Sequence, residues 1–386
     1  MPPLILVGAS VRSAADSARR AGFQPYCVDQ FADEDLLTNA VVMPCCQFPE
    51  GLADSVTAAP DASWMYCGGL ENRAELVEQL SGIRRLLGNG ANSLKLVRDP
   101  WWVFDLLQSN GRPVLRVRST EQLLNDSPSS ASRWIKKPFA SAGGRGIEIV
   151  LPSAVLPCNS DCFYQEFAEG TPISGVFVAD GKKCICCGLS RQLIGEPSAG
   201  APPFGYSGSI GPLDSTDLPA TCFEQVAALG ELIASAAQLR GLFGIDFIWD
   251  DERQIAWLIE INPRYTASVE VFELATGDTL LGRHCRAAGD SERTNEDWAF
   301  PVKPARERIG KFVLYAQRDT VVPDLRLWNA PAYSAWVADI PKPGSKIPEG
   351  APICTILCRG QSIESCYQRL LAACQIMRDE IDKSSS

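Results

Sequence analysis

The sequence predicts an α/β protein of several modules, and three observations carry that reading. Strand-like and helix-like segments alternate through the first hundred or so residues. Hairpins surround one long helix in the middle of the chain, and short strands separated by Pro and Gly fill its last part. With 386 residues, 46% of them hydrophobic, there is enough chain for more than one core. Four modules are expected, spanning 1–110, 111–190, 191–300 and 301–386.

In the first module "LILVGAS" reads as a strand, "SAADSARRAG" as a helix ending at Gly22, and "QPYCVDQ" as a second strand. "WMYCGGLEN" reads as a later strand leading into the helix "RAELVEQL". This is the pattern of a parallel, Rossmann-like sheet. The turn after the first strand is "GAS", without G-x-G-x-x-G, so Asp29 at the end of the second strand carries little cofactor meaning. One helix is expected through "LKLVRDPWWVFDLLQSNG" to Gly111, then a strand and the polar linker "NDSPSSAS".

The second module holds "RWIKKPFASAGGRGIEIV", two strands joined by a Gly/Ser/Ala turn. It continues through "CFYQEFAEG" into a hairpin turned at Asp180-Gly181. The third contains the helix "FEQVAALGELIASAAQL" and the strands "LFGIDFIWD" and "IAWLIEINP". The fourth is a small β module closed by the amphipathic helix "SIESCYQRLLAACQIMRDEI".

The formal net charge of −10, from 36 Lys+Arg against 46 Asp+Glu, excludes nucleic acid and anionic membranes as the main partner. No apolar run approaches the roughly 18 residues of a membrane span. The start "MPPLILVGAS" lacks a basic region and a cleavage site, so a cytoplasmic protein with reduced thiols is expected, despite 15 cysteines. Cys184 and Cys187 have C-x-x-C spacing but no second pair or His at zinc-site distance. His284 is the only histidine and has no partnering motif, so a His-based mechanism is not expected.

Chemistry concentrates in "LIEINPRYTASVE". Glu260, Asn262 and Arg264 occupy alternate positions, which a strand places on one face. A buried Glu260–Arg264 ion pair closing the sheet is one reading. The other brings in Asp246, which the hairpin sets beside Glu260. Two carboxylates and an amide oxygen are the hard ligands Mg²⁺ accepts beside a nucleotide. Lys137 ends a strand before the turn "ASAGGRG", whose small residues can cradle phosphate through backbone N–H groups. Gly serves ordinary turns equally well. The flap, with little to pack against, is expected to be mobile until phosphates arrive.

In this order, the lysine with its Gly-rich loop, the "QEFAEG" hinge, "GIDFIW" and "LIEINPR" resemble the ATP-grasp superfamily. "GGLENRAELVEQL", "INPRYTASVE" and "ADIPKPGSKIPEGAPI" look like its predicted ATP-dependent carboligases, found near genes for tetrahydromethanopterin- and methanofuran-linked one-carbon transfer. The resemblance implies an N-terminal Rossmann-like pre-ATP-grasp domain, a two-part ATP-grasp region and a C-terminal β-rich module.

It also implies roles. Lys95 and Lys137 would meet the triphosphate, while Ala142, Gly143, Gly144 and Gly146 would cover the β- and γ-phosphates. Gln165, Glu166, Phe167 and Ala168 would hold adenine. Pro172 stands where many relatives place a ribose-binding Glu, leaving Glu169 as the candidate for that contact. Asp246, Glu260 and Asn262 would bind two Mg²⁺ ions, with Mn²⁺ as a substitute, and Arg264 would stabilise the phosphoryl group. Strand-end loops "GAS" and "GGLEN" would border the second substrate. There Glu71 is either an amine contact or a loop carboxylate at a helix start.

The implied activity is a carboxylate–amine ligase working through an acyl phosphate, with small-molecule acid and amine substrates and a homodimeric assembly. A carboxylase making carboxyphosphate and a non-catalytic nucleotide-binding protein are the alternatives.

Overall fold

The structure, a computed structural model, describes residues 1–43, 45, 47–125, 133–151, 161–289, 298–326 and 328–384. Most of the linker "NDSPSSAS" lies outside the described residues.

The first sheet is parallel. Strands β1 (Pro3–Gly8), β2 (Gln24–Asp29), β3 (Val41–Met43) and β4 (Trp64–Tyr66) run in the order β3-β2-β1-β4. Helices α1 (Arg12–Arg20), α2 (Glu34–Asn39), α3 (Leu52–Ala58) and α4 (Ala74–Ile83) alternate with them. Leu4, Ile5, Leu6 and Val7 are all fully buried or nearly so, which explains an apolar run without polar alternation: helices cover both faces.

The single helix expected through "LKLVRDPWWVFDLLQ" is two helices, α5 (Ala91–Val97) and α6 (Pro100–Ser109). Pro100 ends the first because its ring restricts the preceding residue, and it starts the second at a position that needs no N–H donor. Asp99 caps α6, accepting from the Trp101 and Trp102 amides at 2.9 and 3.3 Å.

A four-stranded antiparallel sheet follows, in the order β5-β8-β6-β7. It is made of β5 (Val117–Arg118), β6 (Trp134–Pro138), β7 (Glu148–Val150) and β8 (Cys162–Glu166), with helix α7 (Thr120–Asn125) after β5.

The largest sheet has nine strands. Seven of them are β9 (Thr171–Asp180), β10 (Cys184–Ile194), β11 (Tyr206–Gly211), β12 (Arg240–Asp250), β13 (Ile255–Asn262), β14 (Arg308–Tyr315) and, after the short β15 (Thr320–Val321), β16 (Asn329–Ala330). The other two are β17 (Ala335–Ala338) and, after β18 (Lys346–Ile347), β19 (Pro352–Gly360). Their order is β13-β12-β9-β10-β11-β14-β19-β17-β16, while β15 pairs with β18. Helix α8 (Ala220–Ala236) packs on one side, as does the C-terminal α11 (Ile363–Ser384). Helices α9 (Ala267–Thr276) and α10 (Leu280–Ala287) lie between this sheet and the N-terminal one.

The sheets divide the chain differently from the four modules expected. A boundary at 190 falls inside β10, and β9 and β10 pair with β12 and β11 rather than with β8. The C-terminal strands extend the same ladder, because β14 pairs with β11.

A bulge in β10 sends Cys187 into the core on one face, while Cys184 and Cys186 face the other. Opposite faces explain why this C-x-x-C spacing forms no chelating pair. His284 is a buried core residue. Its Nδ1 accepts the Leu242 amide at 2.7 Å, so Nε2 is the protonated nitrogen, donating to the Leu87 carbonyl at 3.0 Å. Burial pushes its pKa down to about 4.

Candidate active site

Between the four-stranded and nine-stranded sheets lies a cavity of about 570 Å³. Strand β6 contributes from one side, β12 and β13 from the other. Lys137 is buried and lines it, whereas Lys136 points outward to Glu148 at 2.9 Å. Adjacent strand residues face opposite ways, so only one lysine enters. The Lys137 ammonium donates to the Gln165 Oε1 and to the Ile259 carbonyl, both at 3.2 Å. Burial depresses its pKa; Glu260 opposes that and Arg98 reinforces it.

Asp246 and Glu260 are directly paired across β12 and β13, and the next pair is Phe247 with Leu258. Ile259 is therefore an extra, bulged residue, which explains why its carbonyl is free to meet Lys137. Asp246 accepts from Ser174 (2.8 Å), Gln192 (2.9 Å) and the Asn262 amide (3.0 Å). Burial, then the Glu260 charge, push the Asp246 carboxyl up to about 6.

Glu260 is ion-paired with Arg98 of α5. Strand β13 ends at Asn262, and Arg264 reaches the cavity through a tight turn in which its amide donates to the Asn262 carbonyl at 2.8 Å. Strand alternation accounts for Glu260 and Asn262 but not for Arg264. The Glu260–Arg264 pair considered from the sequence gives way to two others, Glu260–Arg98 and Arg264–Glu71, the latter at 2.7 Å.

Glu71 is thus neither an exposed loop carboxylate nor a free amine contact. It is 2% exposed, accepts the Gly69 amide at 2.6 Å, and braces Arg264 from behind. Burial alone would raise its pKa, but the Arg264 charge and hydrogen bonds outweigh that and hold it low.

Lys95 also departs from its expected role. It faces outward, over half exposed, and pairs with Glu75 at 3.2 Å; it does not line the cavity. Arg98, the C-cap residue just past α5, turns instead towards Glu260, although it too lies outside the lining of the large cavity. Its guanidinium also donates to Asn72 Oδ1 (2.9 Å) and the Ser141 carbonyl (3.1 Å). Arg98 was legible only with the helix break at Pro100 in hand.

Of the flap, Gly143 and Gly144 line the cavity, while Ala142 and Gly146 do not. The expectation of little packing fails. Gly143 accepts the Tyr206 amide at 3.1 Å, and Gly144, with φ +81°, lies so close to Phe204 that a Cβ there would sit 1.8 Å from its carbonyl oxygen. Gly144 is required by that approach.

At the hinge, Glu166, Phe167, Ala168 and Glu169 line the cavity together with Pro172. Gln165 faces instead a small pocket of about 70 Å³ behind Lys137. Glu166 pairs with Arg116 at 3.0 Å and Glu169 with Arg133. Arg133, Ser174 and Gln192 are cavity residues that carry no sequence signal of their own.

Among the described residues, no cluster of three or more His, Cys, Asp or Glu side chains is gathered as a metal site. The donor set nevertheless fits a hard divalent cation. Two carboxylates face each other, and burial, followed by the Glu260 charge, holds the Asp246 carboxyl above its usual range, a strain that a bound cation would relieve. Asn262 aims its amide nitrogen at Asp246 and its oxygen at Arg264, 3.3 Å away. The carboxylates Asp246 and Glu260 are the stronger ligand candidates.

A second cavity, also about 570 Å³, opens between the N-terminal sheet and the C-terminal strands. Ala9, Ser10 and Gly68, from the loops "GAS" and "GGLEN", line it. The two cavities share Tyr206, Arg264, Thr266 and Ala267 as lining residues.

Residues 99–268 match the family described as the ATP-grasp domain. An uncharacterized protein of Methanocaldococcus jannaschii is 22% identical over 96% of this chain and 91% of its own length. N5-carboxyaminoimidazole ribonucleotide synthetase from Thermotoga maritima superposes with a TM-score of 0.71 at 15% identity, covering 97% of this chain and 98% of the other. The biotin carboxylase domain of Hydrogenobacter thermophilus 2-oxoglutarate carboxylase, a dimer in complex with MgADP, ADP and bicarbonate, gives a TM-score of 0.72 at 14% identity over 96% and 89% of the two chains. Among the described residues no helix is long and apolar enough to cross a membrane. Residues 99–268 thus match an ATP-grasp domain, and nearly the whole chain shares the fold of these two enzymes.

Proposed function

We propose that the protein is an ATP-dependent ligase that joins a carboxylic acid to an amine through an acyl phosphate, releasing ADP and phosphate. The observation that carries this reading is the junction of two equal cavities at Arg264. One is lined by an ammonium, paired carboxylates and a glycine flap; the other opens onto the strand ends of a parallel sheet, where such folds take a second ligand.

Lys137 and the backbone of Gly143 and Gly144 orient the triphosphate in the first cavity. Glu166 to Glu169 flank the base and ribose. Asp246 and Glu260, with Asn262 beside them, would hold Mg²⁺, which supplies charge neutralisation at the transferring phosphoryl group. Arg264, held in place by Glu71, offers its guanidinium to the phosphoryl group and the carboxylate where charge shifts during transfer. Positioning and electrostatics of this kind need no histidine base.

The resemblance to carboligases near one-carbon genes makes glutamate-like acids and tyramine-like or cofactor-precursor amines the first substrates to try. A homodimer is the assembly to expect. The carboxylase reading keeps support from the likeness to a domain that carries bicarbonate beside its nucleotide.

The deciding experiment incubates the purified protein with ATP, Mg²⁺ and a matrix of acids and amines, with and without bicarbonate. ADP and phosphate released only with an acid, and a hydroxamate trapped by hydroxylamine, are expected. AMP and pyrophosphate as products overturn the acyl-phosphate route. ADP release that requires bicarbonate alone moves the assignment to a carboxylase, and nucleotide binding without turnover moves it to a nucleotide-binding regulator.

A further inference from the structure

The second cavity contains a carboxylate that the fold leaves without a counter-charge. Asp33 is 7% exposed and lines that cavity. It precedes α2 at the N-cap position, the usual reason for an aspartate there, yet its side chain makes no capping hydrogen bond. Among the described residues, no side-chain hydrogen bond or ion pair within 4 Å engages its carboxylate. Burying a charge unpaired is costly, so such a group calls for a partner supplied from outside.

The surrounding charge has the same sign. Arg12 is divided among Glu270, Asp339, Asp35 and Asp16, and Lys311 is bound to Glu270 at 2.7 Å. Two cations thus face four carboxylates before Asp33 is counted, and Asp29 lies close by, satisfied by the amides of Val11, Phe31 and Ala32. Burial, followed by the charges of Asp339, Asp29 and Asp35, pushes the Asp33 carboxyl up to about 8, with Arg12 opposing. The remaining cations of the lining are Arg264, which Glu71 neutralises, and Lys342 and Lys346, both exposed and unpaired with Asp33. Phe31, Val313, Tyr315 and Ile353 supply apolar wall.

We propose that the second cavity receives an organic cation with an apolar body, a primary ammonium held against the Asp33 carboxylate. This rests on reading the cavity as the acceptor-substrate site, and it names the chemical class that the acceptor carries. The ligand would supply the positive charge missing at the inner wall, while its hydrocarbon part covers Phe31 and Tyr315.

Calorimetric titration with three probes of one shape, 2-phenylethylammonium, 2-phenylethanol and 3-phenylpropanoate, tests this. The ammonium is expected to bind at least about tenfold more tightly than the alcohol, the scale of one charge-assisted hydrogen bond. In Asp33→Asn that preference disappears, while binding of a non-hydrolysable ATP analogue with Mg²⁺ is retained as a check on folding. Equal binding of ammonium and alcohol, binding of none of the probes, tighter binding of the propanoate, or a preference that survives Asp33→Asn each overturns the proposal. The wild-type comparison decides even where the variant does not fold. An ammonium preference without ADP release for any acid and amine leaves the cation site standing and removes the ligase reading; ADP release with no such preference does the reverse.

Discussion

The cleft proposed for the nucleotide and the second cavity have the same volume and share four lining residues, yet they are built in opposite ways. Much of the cleft's polar chemistry comes from strands: hydrogen-bonded register sets Asp246 of β12 against Glu260 of β13, with Asn262 two residues on, while alternation along β6, in the other sheet, turns Lys137 inward. The second cavity takes Asp33 from the β2–α2 loop, Gly68 from just past the end of β4, and Lys342 and Ser345 to Pro348 from the short strand β18 and the turns beside it. In the cleft Glu260 and Arg264 have ion-pair partners and Lys137 and Asp246 have neutral hydrogen-bond partners, whereas the inner wall of the second cavity holds an excess of acid. A ladder specifies groups locally; a loop-built site depends on the whole fold to bring its groups together.

Four measurements would break or sharpen that contrast. The largest effect is expected for Glu260→Gln, which removes a charge that both Arg98 and a divalent cation use. Turnover should fall by at least about a hundredfold with circular dichroism unchanged, and ammonium binding in the second cavity should stay intact. Near-normal ADP release by the purified variant would remove Glu260 from the metal site.

Arg264 belongs to both sites, so it tests whether they are separable at all. Arg264→Met leaves Glu71 buried without its cation and is expected to cost about 3–5 kcal/mol of stability, most of it recovered in the Glu71→Gln/Arg264→Met double variant. Activity, in contrast, stays lost in the double variant. Recovery of turnover along with melting temperature would make Arg264 a structural residue only.

The third measurement addresses strand phase. Lys137→Ala should weaken ATP-analogue binding by about tenfold or more, since it deletes a buried charge-assisted contact, while Lys136→Ala changes it by less than about threefold, as for an exposed ion pair. Equal effects in a fluorescence titration would mean that the cleft does not follow the β6 alternation.

The smallest effect is a pH dependence. Asp246 holds its proton up to about pH 6 in the folded protein, above its unfolded value near 4. It therefore favours folding most below the unfolded value, and that contribution is lost as pH rises through 6. Melting temperature should decline over pH 4 to 6 in the wild type, less in Asp246→Asn, and Mg²⁺ with ADP should restore stability at pH 7. Identical profiles for both proteins would show that Asp246 is not the strained acid.

What the sequence made legible follows the same divide. Alternation in "LIEINPR" and the hairpin spacing located Asp246, Glu260 and Asn262, because strand geometry has period two and little else is needed. It did not disclose the bulge at Ile259, which no residue type announces, nor the turn that delivers Arg264. Lys95 stood in for Arg98 because Arg98 follows the end of α5, and where that helix ends depends on Pro100. Glu71 was read from its loop alone, and its partner lies 193 residues away. The extent of the nine-stranded sheet was hidden for a related reason: "KPARERIGKFVLY" shows that it is a strand, but not that β14 pairs with β11. Asp33, in an unremarkable turn, gave no signal.

The outer wall of the second cavity hangs on residues 341–351, between β17 and β19, and none of them lines the cavity proposed for the nucleotide. On the proposed reading, exchange of that stretch would alter which acceptor is admitted and leave untouched the residues assigned to phosphoryl transfer: an interchangeable receptor fastened to a fixed engine.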